Sequence, residues 1–441
     1  MKILFISLGC DKNLVDSEYM LGMLAEAGHT ITDDEKTADI IVINTCCFIG
    51  DAKEESIQTI LEMASYKEGG SLKGLIVTGC LAQRYRDEIE TELPEVDAVL
   101  GVHSYDSIVC AIQQVAEGKR YRKFDEPKEL PPKGTKRLVT TGGHYAFLKI
   151  AEGCEKHCTY CAIPQIRGKY QSAPLEKLVC EAKELAAGGV KELILVAQET
   201  TCYGVDLYGK KSLDRLLDEL NQIPGLAWIR ILYCYPEEID DALIDAILRN
   251  EKVCHYLDLP IQHSVDDVLK RMGRKTGRDD IIRIVNRLRE RIPDICIRTT
   301  LISGFPGETE QMHKELMEFV KEMAFDRLGV FTYSPEEGTP AEAFDGQVEE
   351  ETKLARKEEI LALQQKISFD INETLPGREL TAFIEGKVAD EDAYVGRTYR
   401  DAPGVDGYVF IRTNEILETG KFVNVEITGA YEYDLTGEIA E

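Results

Sequence analysis

The chain predicts an α/β protein in three parts: an amino-terminal doubly wound parallel sheet, a central partial (β/α)6 barrel, and a small all-β barrel at the carboxyl terminus. Three observations lead there. Short apolar strands alternate with helical patterns through most of the 441 residues, the rhythm that builds parallel sheets with right-handed crossovers. Between residues 145 and 332 that rhythm repeats six times, fewer than the eight units that a closed barrel spreads over ~250 residues. After residue 371 helical spacing gives way to Thr, Val, Tyr and Gly at strand spacing, with turn signals at Pro376-Gly377, Gly396, Pro403-Gly404 and Gly420.

Taken in order, Lys2–Leu8 reads as a buried strand. Asp16–Ala27 carries Tyr19, Met20, Met23 and Leu24 at helical spacing and stops at Gly28. Ile40–Ile43 and Leu75–Val77 are further strands, with a helix through Ile57, Ile60 and Leu61 between them. The pattern breaks over residues 119–143, where Arg120, Arg122, Lys123, Lys128, Pro131, Pro132, Lys133, Gly134 and Gly142-Gly143 read as a locally basic linker. Alternation resumes with strands at Tyr145–Ile150, Glu192–Ala197, Trp228–Leu232, Tyr256–Leu259, Cys296–Ile302 and Leu328–Thr332. A charged helix, Glu349–Ile371, leads out. The expected domains are therefore 1–118, 144–371 and 372–441, joined by the 119–143 linker.

Charge narrows the partners. Against 52 basic residues stand 79 acidic ones, a net charge of −27, which repels phosphate backbones and favours a basic partner. No apolar run approaches the ~20 residues that span a bilayer, so no membrane association is expected. The start, Met1 to Cys10, imitates a lipoprotein signal, but its apolar run falls short of the roughly 7–15 residues of a secretory core. A cytoplasmic location is expected. There, 13 cysteines read as metal or redox sites where their spacing is regular, not as disulfides.

Two sets of cysteines have such an address. Cys154, Cys158 and Cys161 form a C-x3-C-x2-C run directly after the first strand of the barrel segment, where barrel folds carry chemistry. Three thiolates so close can hold three irons of a 4Fe–4S cluster, leaving the fourth open. Structural zinc is the alternative, with His157 as a fourth ligand, but it asks for four closed ligands and a cramped tetrahedron. Cys10, Cys46 and Cys80 each follow one of the first three strands. In a parallel sheet all carboxyl ends share one edge, so three cysteines distant in sequence meet at one rim as a second three-cysteine cluster site. Buried strand-end cysteines are the plainer reading. Cys47 points the other way on an extended backbone, and Cys110, Cys180, Cys202, Cys234, Cys254 and Cys296 have no ligand spacing.

The C-x3-C-x2-C run resembles that of the radical S-adenosylmethionine superfamily. The resemblance implies that the open iron chelates S-adenosylmethionine, whose reductive cleavage yields methionine and a 5′-deoxyadenosyl radical. It places Tyr160 against the adenine and Gly304, in Gly304-Phe305-Pro306-Gly307-Glu308, in a nearby loop. Gln198, Gln262 and Arg298 are further candidate contacts at the carboxyl ends of later strands. Glu308 has a plainer reading, support of the next helix's amino terminus, and His263 reads as a packed histidine or a proton carrier.

Over essentially the whole chain, the segments Leu8-Gly9-Cys10-Asp11-Lys12-Asn13-Leu14-Val15-Asp16-Ser17-Glu18, Asn44-Thr45-Cys46 and Thr78-Gly79-Cys80, with the C-x3-C-x2-C run, resemble the methylthiotransferase family of radical S-adenosylmethionine enzymes. That family carries a carboxyl-terminal TRAM barrel. The stretches Lys12–Glu18 and Arg397–Gly407 are similar to the member that modifies a ribosomal protein, with departures at Cys47 and Gly404. What the resemblance implies is two 4Fe–4S clusters, S-adenosylmethionine used both as methyl donor and as radical source, and methylthiolation of an aspartate β-carbon in the decoding-centre protein of the small ribosomal subunit. The two cluster sites would face each other across a domain interface. Expected partners are that basic ribosomal protein and a low-potential electron donor such as a flavodoxin or ferredoxin, with the enzyme a monomer.

Charge bears on the choice independently. Residues 372–441 hold 15 acidic and 6 basic residues, whereas a barrel that grips RNA is basic. Two other readings stay open at this point: a tRNA adenosine methylthiotransferase, and an electron-transfer protein with two fully ligated clusters.

Overall fold

A computed structural model describes residues 1–68, 72–128, 131 and 134–440. Pro132 and Lys133 of the expected linker lie outside them. The chain divides into two compact units. The first comprises Met1–Gly142, Ala151–Ala173 and Ser334–Glu342; the second comprises Gly143–Ile150, Pro174–Tyr333 and Ala343–Glu441.

The first unit is built on a six-stranded parallel sheet of β1 (Lys2–Ser7), β2 (Thr30–Thr32), β3 (Ile40–Thr45), β4 (Gly74–Gly79), β5 (Ala98–Leu100) and β6 (Tyr121–Lys123), in the order β2-β1-β3-β4-β5-β6. The expected strands are its centre. In β3 and β4 every residue is buried, which is why they read as unbroken apolar runs. The outer strands β2, β5 and β6 have three residues each, too short for a pattern. β6 corrects the expected linker: Tyr121, Arg122 and Lys123 pair in register with Ala98, Val99 and Leu100. Residues 137–140 are also tied to the unit. Glu18 accepts hydrogen bonds from Arg137 Nε at 2.7 Å and from the Thr140 amide at 2.6 Å.

The first helix spans Asp11–Glu26 and starts five residues before the expected Asp16. Its first turn is polar, so apolar spacing understates its length. Cys10 thereby becomes its N-cap residue. Ala162 and Ile166 pack into the same apolar core as Ile41, Ile43, Leu75 and Val77. The C-x3-C-x2-C loop thus belongs to this unit, where the sequence placed it with the barrel. Its ends are drawn together by a two-stranded antiparallel pair, Ala151–Glu152 (β8) with Gln171–Ser172 (β9).

The second unit contains the open barrel: β7 (Tyr145–Lys149), β10 (Glu192–Val196), β11 (Trp228–Ile231), β12 (Val253–Asp258), β13 (Cys296–Ser303) and β14 (Arg327–Thr332), all parallel, in the order β14-β13-β12-β11-β10-β7. Six units are what the sequence predicts. The helix Glu350–Asn372 leads to a closed five-stranded barrel of β15 (Glu379–Lys387), β16 (Ala393–Arg397), β17 (Val409–Arg412), β18 (Phe422–Ala430) and β19 (Leu435–Ile439), ordered β15-β16-β17-β19-β18, with its own core around Phe383's neighbours Ala382 and Ile384, and Val409, Ile411 and Val425.

The end of β16 and the stretch after it join the two barrels through buried charge. Glu192, at the start of β10, accepts from Arg230 at 2.8 Å and from Arg397 at 2.6 Å. Arg327 donates to Asp401 at 2.7 Å and Arg400 to Asp326 at 2.8 Å. Burial works against ionised Glu192, but the charges of Arg397 and Arg230 outweigh it and hold the carboxyl below its usual range. This ladder lies at the amino-terminal ends of the strands, the face of such barrels that serves stability. Among the described residues no helix is long and apolar enough to cross a membrane.

Candidate functional site

The carboxyl edge of the first sheet gathers three thiols. Cys10 follows β1 by a short turn, Cys46 directly follows β3, and Cys80 opens the short helix Cys80–Arg84 at the end of β4. Two glycines make the approach possible. Gly9 has φ +90°, and a Cβ there would stand 2.7 Å from Cys46 Cβ. Gly79 has φ +95°, and a Cβ there would stand 2.3 Å from Asn44 Oδ1 and 2.5 Å from the Thr45 carbonyl oxygen. Only glycine meets both demands.

Polar side chains fix the rim. Asn13 Nδ2 donates to the carbonyls of Leu8 at 3.1 Å and Thr45 at 3.0 Å. Asn44 Nδ2 donates to the Asn13 carbonyl at 2.9 Å and to Ser17 Oγ at 2.9 Å. Ser56 Oγ brackets Cys46, accepting from its amide at 3.0 Å and donating to its carbonyl at 2.8 Å. The residues of the Lys12–Glu18 stretch therefore have work beyond the helix itself: Asn13 and Ser17 hold the rim, and Glu18 holds residues 137–140.

Burial pushes the Cys46 thiol up to about 12, and the nearby charges of Cys80 and Cys10 push the same way. The Cys80 thiol is raised by burial, against the opposing charge of Arg167. The three sulfurs are thus near enough to feel one another in an apolar setting, the donor set that a cationic iron–sulfur centre satisfies by taking thiolates. Cys47 is fully buried in the core, as the sequence predicts.

The second trio sits on a tightly folded loop. Gly153, at φ +75°, admits no side chain: a Cβ would stand 2.2 Å from the Lys169 carbonyl oxygen. The Cys154 amide donates to the Gly168 carbonyl at 3.2 Å and the Cys161 amide to the Cys158 carbonyl at 3.1 Å. Residues 334–342 strap the loop: the Ala341 amide donates to the Thr159 carbonyl at 2.9 Å, and Gln165 Nε2 to the Gly338 carbonyl at 2.8 Å. Arg84 anchors that strap through Glu336 at 2.8 Å. Cys154 and Cys158 are buried and Cys161 partly so. Burial pushes the Cys161 thiol up to about 12, with Cys158 and Cys154 adding to it.

His157 takes a left-handed conformation, φ +54°, and is exposed, an orientation that does not serve a closed zinc tetrahedron. Among the described residues no three His, Cys, Asp or Glu side chains converge on a point that would hold a single metal ion. A cubane takes each thiolate on a different iron, so its ligands stand farther apart than those of one ion. Both trios fit a cubane in donor type, and all six thiols are buried or half-buried.

One buried side chain was invisible in the sequence. Arg167 closes the short helix Ile163–Arg167 after the loop and is 1% exposed. It donates to Asp16 Oδ2 at 3.1 Å, to Glu152 Oε2 at 2.9 Å, to Asn13 Oδ1, and to Cys80 Sγ at 3.5 Å. No local pattern announces it, because its partners lie between 15 and 154 residues away.

The remaining candidates divide. Tyr160 is half-buried on the cysteine loop. Gln198 lies beyond the end of β10 and Gln262 beyond the end of β12, the edge the sequence predicts for them. Gln262 takes φ +70° and is held by its backbone, its amide donating to the Thr300 carbonyl at 2.9 Å. Gly304 follows β13 directly at φ +71°, where a Cβ would stand 2.3 Å from Lys353 Cγ. Arg298 departs from expectation. It is the third residue of the eight in β13, in the amino-terminal half of the strand, and its guanidinium pairs with Asp258 at 3.0 Å and Asp406 at 3.4 Å. The sequence reading groups it with contacts at carboxyl ends of strands; here it belongs to the charge ladder between the barrels.

Glu308 is not the cap of the following helix, a place taken by Thr309, which accepts from the Met312 amide. It accepts instead from the Gly304 amide at 2.8 Å and from Arg356 at 2.9 Å, with His263 Nε2 at 3.6 Å. Burial opposes its charge, but the bond from His263 and the charges of His263 and Arg356 outweigh it and lower its pKa.

Three family models match in sequence: the uncharacterized protein family UPF0004 over residues 2–101, the radical SAM superfamily over 148–320, and the TRAM domain over 377–440. Together with the fold and the cysteine loop these define a radical S-adenosylmethionine enzyme, whose family uses a 4Fe–4S cluster and S-adenosylmethionine. Among curated relatives, the ribosomal protein uS12 methylthiotransferase RimO of Lachnoclostridium phytofermentans is 60% identical over 437 residues, covering 99% of each chain. The protein of the same name from Clostridioides difficile is 46% identical over 439 residues, covering 100% of this chain and 99% of the other. The chain belongs to this methylthiotransferase family. A solved radical S-adenosylmethionine methyltransferase, TsrM from Kitasatospora setae, shares the fold with a TM-score of 0.55 at 16% identity, over 85% of this chain and 76% of that one.

Proposed function

We propose that this enzyme transfers a methylthio group to the β-carbon of an aspartate in the ribosomal protein uS12, using two clusters: one on Cys154, Cys158 and Cys161, the other on Cys10, Cys46 and Cys80. The observation that carries the reading is the pair of three-thiol sets, four of the six thiols buried and two half-buried, within one compact unit of a chain so similar to named uS12 methylthiotransferases. The cluster and S-adenosylmethionine, when bound, supply the radical that attacks an unactivated C–H bond. Protein side chains supply the rest. Cys154, Cys158 and Cys161 would hold three irons of such a cluster, and the loop offers no fourth thiol. Tyr160, Gln198, Gln262 and Gly304 are assigned to S-adenosylmethionine binding, and Arg298 is left out for its pairing with Asp258 and Asp406. The Cys10–Cys46–Cys80 rim would hold the second centre, which would supply sulfur there; the β-hydrogen would leave with the 5′-deoxyadenosyl radical as 5′-deoxyadenosine, and a methylthio group would take its place.

The charge of the last module supports a basic protein substrate. Arg397 and Arg400 are buried, as are the side chains of Asp401 and Asp406, so equal numbers of each sign are withdrawn and the remainder stays as acidic as the whole. Such a surface steers a basic partner by complementarity and repels tRNA. We assign 1–118, 144–371 and 372–441 to the methylthiotransferase, radical and TRAM parts, with β6 added to the first and the cysteine loop packed into its unit, acting in the cytoplasm as a monomer fed by a flavodoxin or ferredoxin. The test is mass spectrometry of uS12 and of tRNA after anaerobic turnover. One methylthio group on an uS12 aspartate sustains the reading; methylthiolated tRNA with unmodified uS12 overturns it.

A further inference from the structure

We propose that Arg167 is a positioning residue of the amino-terminal cluster, whose hydrogen bond and positive charge at Cys80 raise that cluster's reduction potential. This rests on the reading of Cys10, Cys46 and Cys80 as cluster ligands and deepens it. The argument begins with cost. A guanidinium taken wholly out of water is expensive unless its donors are satisfied and its charge is balanced. Asp16, Glu152 and Asn13 provide that satisfaction, and they would complete a purely structural tie by themselves. The same Nη2 that reaches Asn13 also lies 3.5 Å from Cys80 Sγ, and the fork is rigid, so the contact follows from the geometry of the whole group.

Hydrogen bonds to ligating sulfurs and nearby charge are the levers by which a protein sets the potential of an iron–sulfur centre. Each added electron makes the centre more negative, and a cation held in a dry interior favours the reduced form. Position adds to the argument. Arg167 lies six residues after Cys161, and its partners Asn13 and Asp16 lie three and six residues after Cys10. One side chain therefore reads the placement of both cysteine segments at once. Glu152, at the start of the loop, faces the same guanidinium and its charge acts on Cys80 with the opposite sign.

The test is an electrochemical titration of the full chain followed by electron paramagnetic resonance. In a Cys154→Ala, Cys158→Ala, Cys161→Ala background only the amino-terminal cluster remains. There, Arg167→Gln is expected to shift the midpoint to more negative potential, and Arg167→Lys to recover at least half of the shift. In the mirrored background, with Cys10, Cys46 and Cys80 each changed to alanine, Arg167→Gln is expected to move the remaining midpoint much less. A full complement of iron with an unmoved midpoint, or equal shifts in both backgrounds, overturns the inference and leaves the cluster reading intact. Absence of iron from the first background before Arg167 is touched overturns the cluster reading itself. Should Arg167→Gln lose its iron, Glu152→Gln is read instead: removing its negative charge is expected to move the midpoint to more positive potential, and no movement overturns the inference.

Discussion

A buried arginine in the first unit and a buried set of four in the second are comparably dry and do different work. In the second unit Arg230, Arg397, Arg327 and Arg400 face Glu192, Asp401 and Asp326 in a ladder of ion pairs. Thiols are present there too: Cys254 feels the charge of Arg230 and Cys296 that of Arg400. Yet those cysteines stand on adjacent strands without a ligand constellation, and the ladder serves to join two barrels. In the first unit Arg167 faces two carboxylates and a thiol that belongs to a trio. A buried charge is therefore informative about chemistry through the company its partners keep, not through its burial.

The comparison can be broken most severely at the trio. Changing Cys10, Cys46 and Cys80 together to alanine is expected to remove one cluster's worth of iron and sulfide and to abolish methylthio transfer, with iron and sulfide analysis and product mass spectrometry as the readouts. The ladder gives a contrasting outcome. Glu192→Gln leaves Arg230 and Arg397 facing a neutral group, so a loss of about 3–5 kcal/mol in unfolding stability is expected, measured by denaturant titration, with iron content of the folded enzyme unchanged.

Between these lies Gly79→Ala. At φ +95° with Asn44 and Thr45 against the missing Cβ, it is expected to cost about 1–3 kcal/mol and to lower the iron bound by the amino-terminal trio in the variant that lacks the other. A smaller effect is one of pH. Glu192 lies below its ordinary value of 4.5 in the fold, so its stabilising contribution is complete above that value and is lost as pH falls through the folded one. Urea midpoints measured from pH 6 down to 3 are expected to fall less steeply in Glu192→Gln than in the unchanged protein. Smallest of all is His157→Ala. The exposed ring is expected to leave iron content and S-adenosylmethionine cleavage unaltered, and a loss of metal would restore the zinc alternative.

What could be read from the sequence followed pattern length. β3 and β4, buried on both faces, announced themselves as apolar runs, and the cysteines at their ends inherited a shared edge from topology alone. β2, β5 and β6 escaped because three residues make no period, and β6 was hidden further by basic residues that resembled a linker. Arg167 and Arg298 failed in complementary ways. Each takes its meaning from a carboxylate or thiol remote in sequence, Asp16 and Cys80 for one and Asp406 for the other, and no window of the chain contains both partners. The stretch Arg397–Gly407 looked like a family mark, and its structural sense is the docking of one barrel on another.

That docking constrains how the enzyme can be re-engineered. Because Arg397, Arg400, Asp401 and Asp406 interlock with Glu192, Asp326, Arg327 and Arg298, the last seventy or so residues are not an interchangeable adaptor. A chimera that imports a foreign terminal barrel must import compatible charges at the base of the host barrel as well, or it inherits unpaired ions. New target preferences are more readily reached by altering the outer loops of the existing barrel than by replacing it whole.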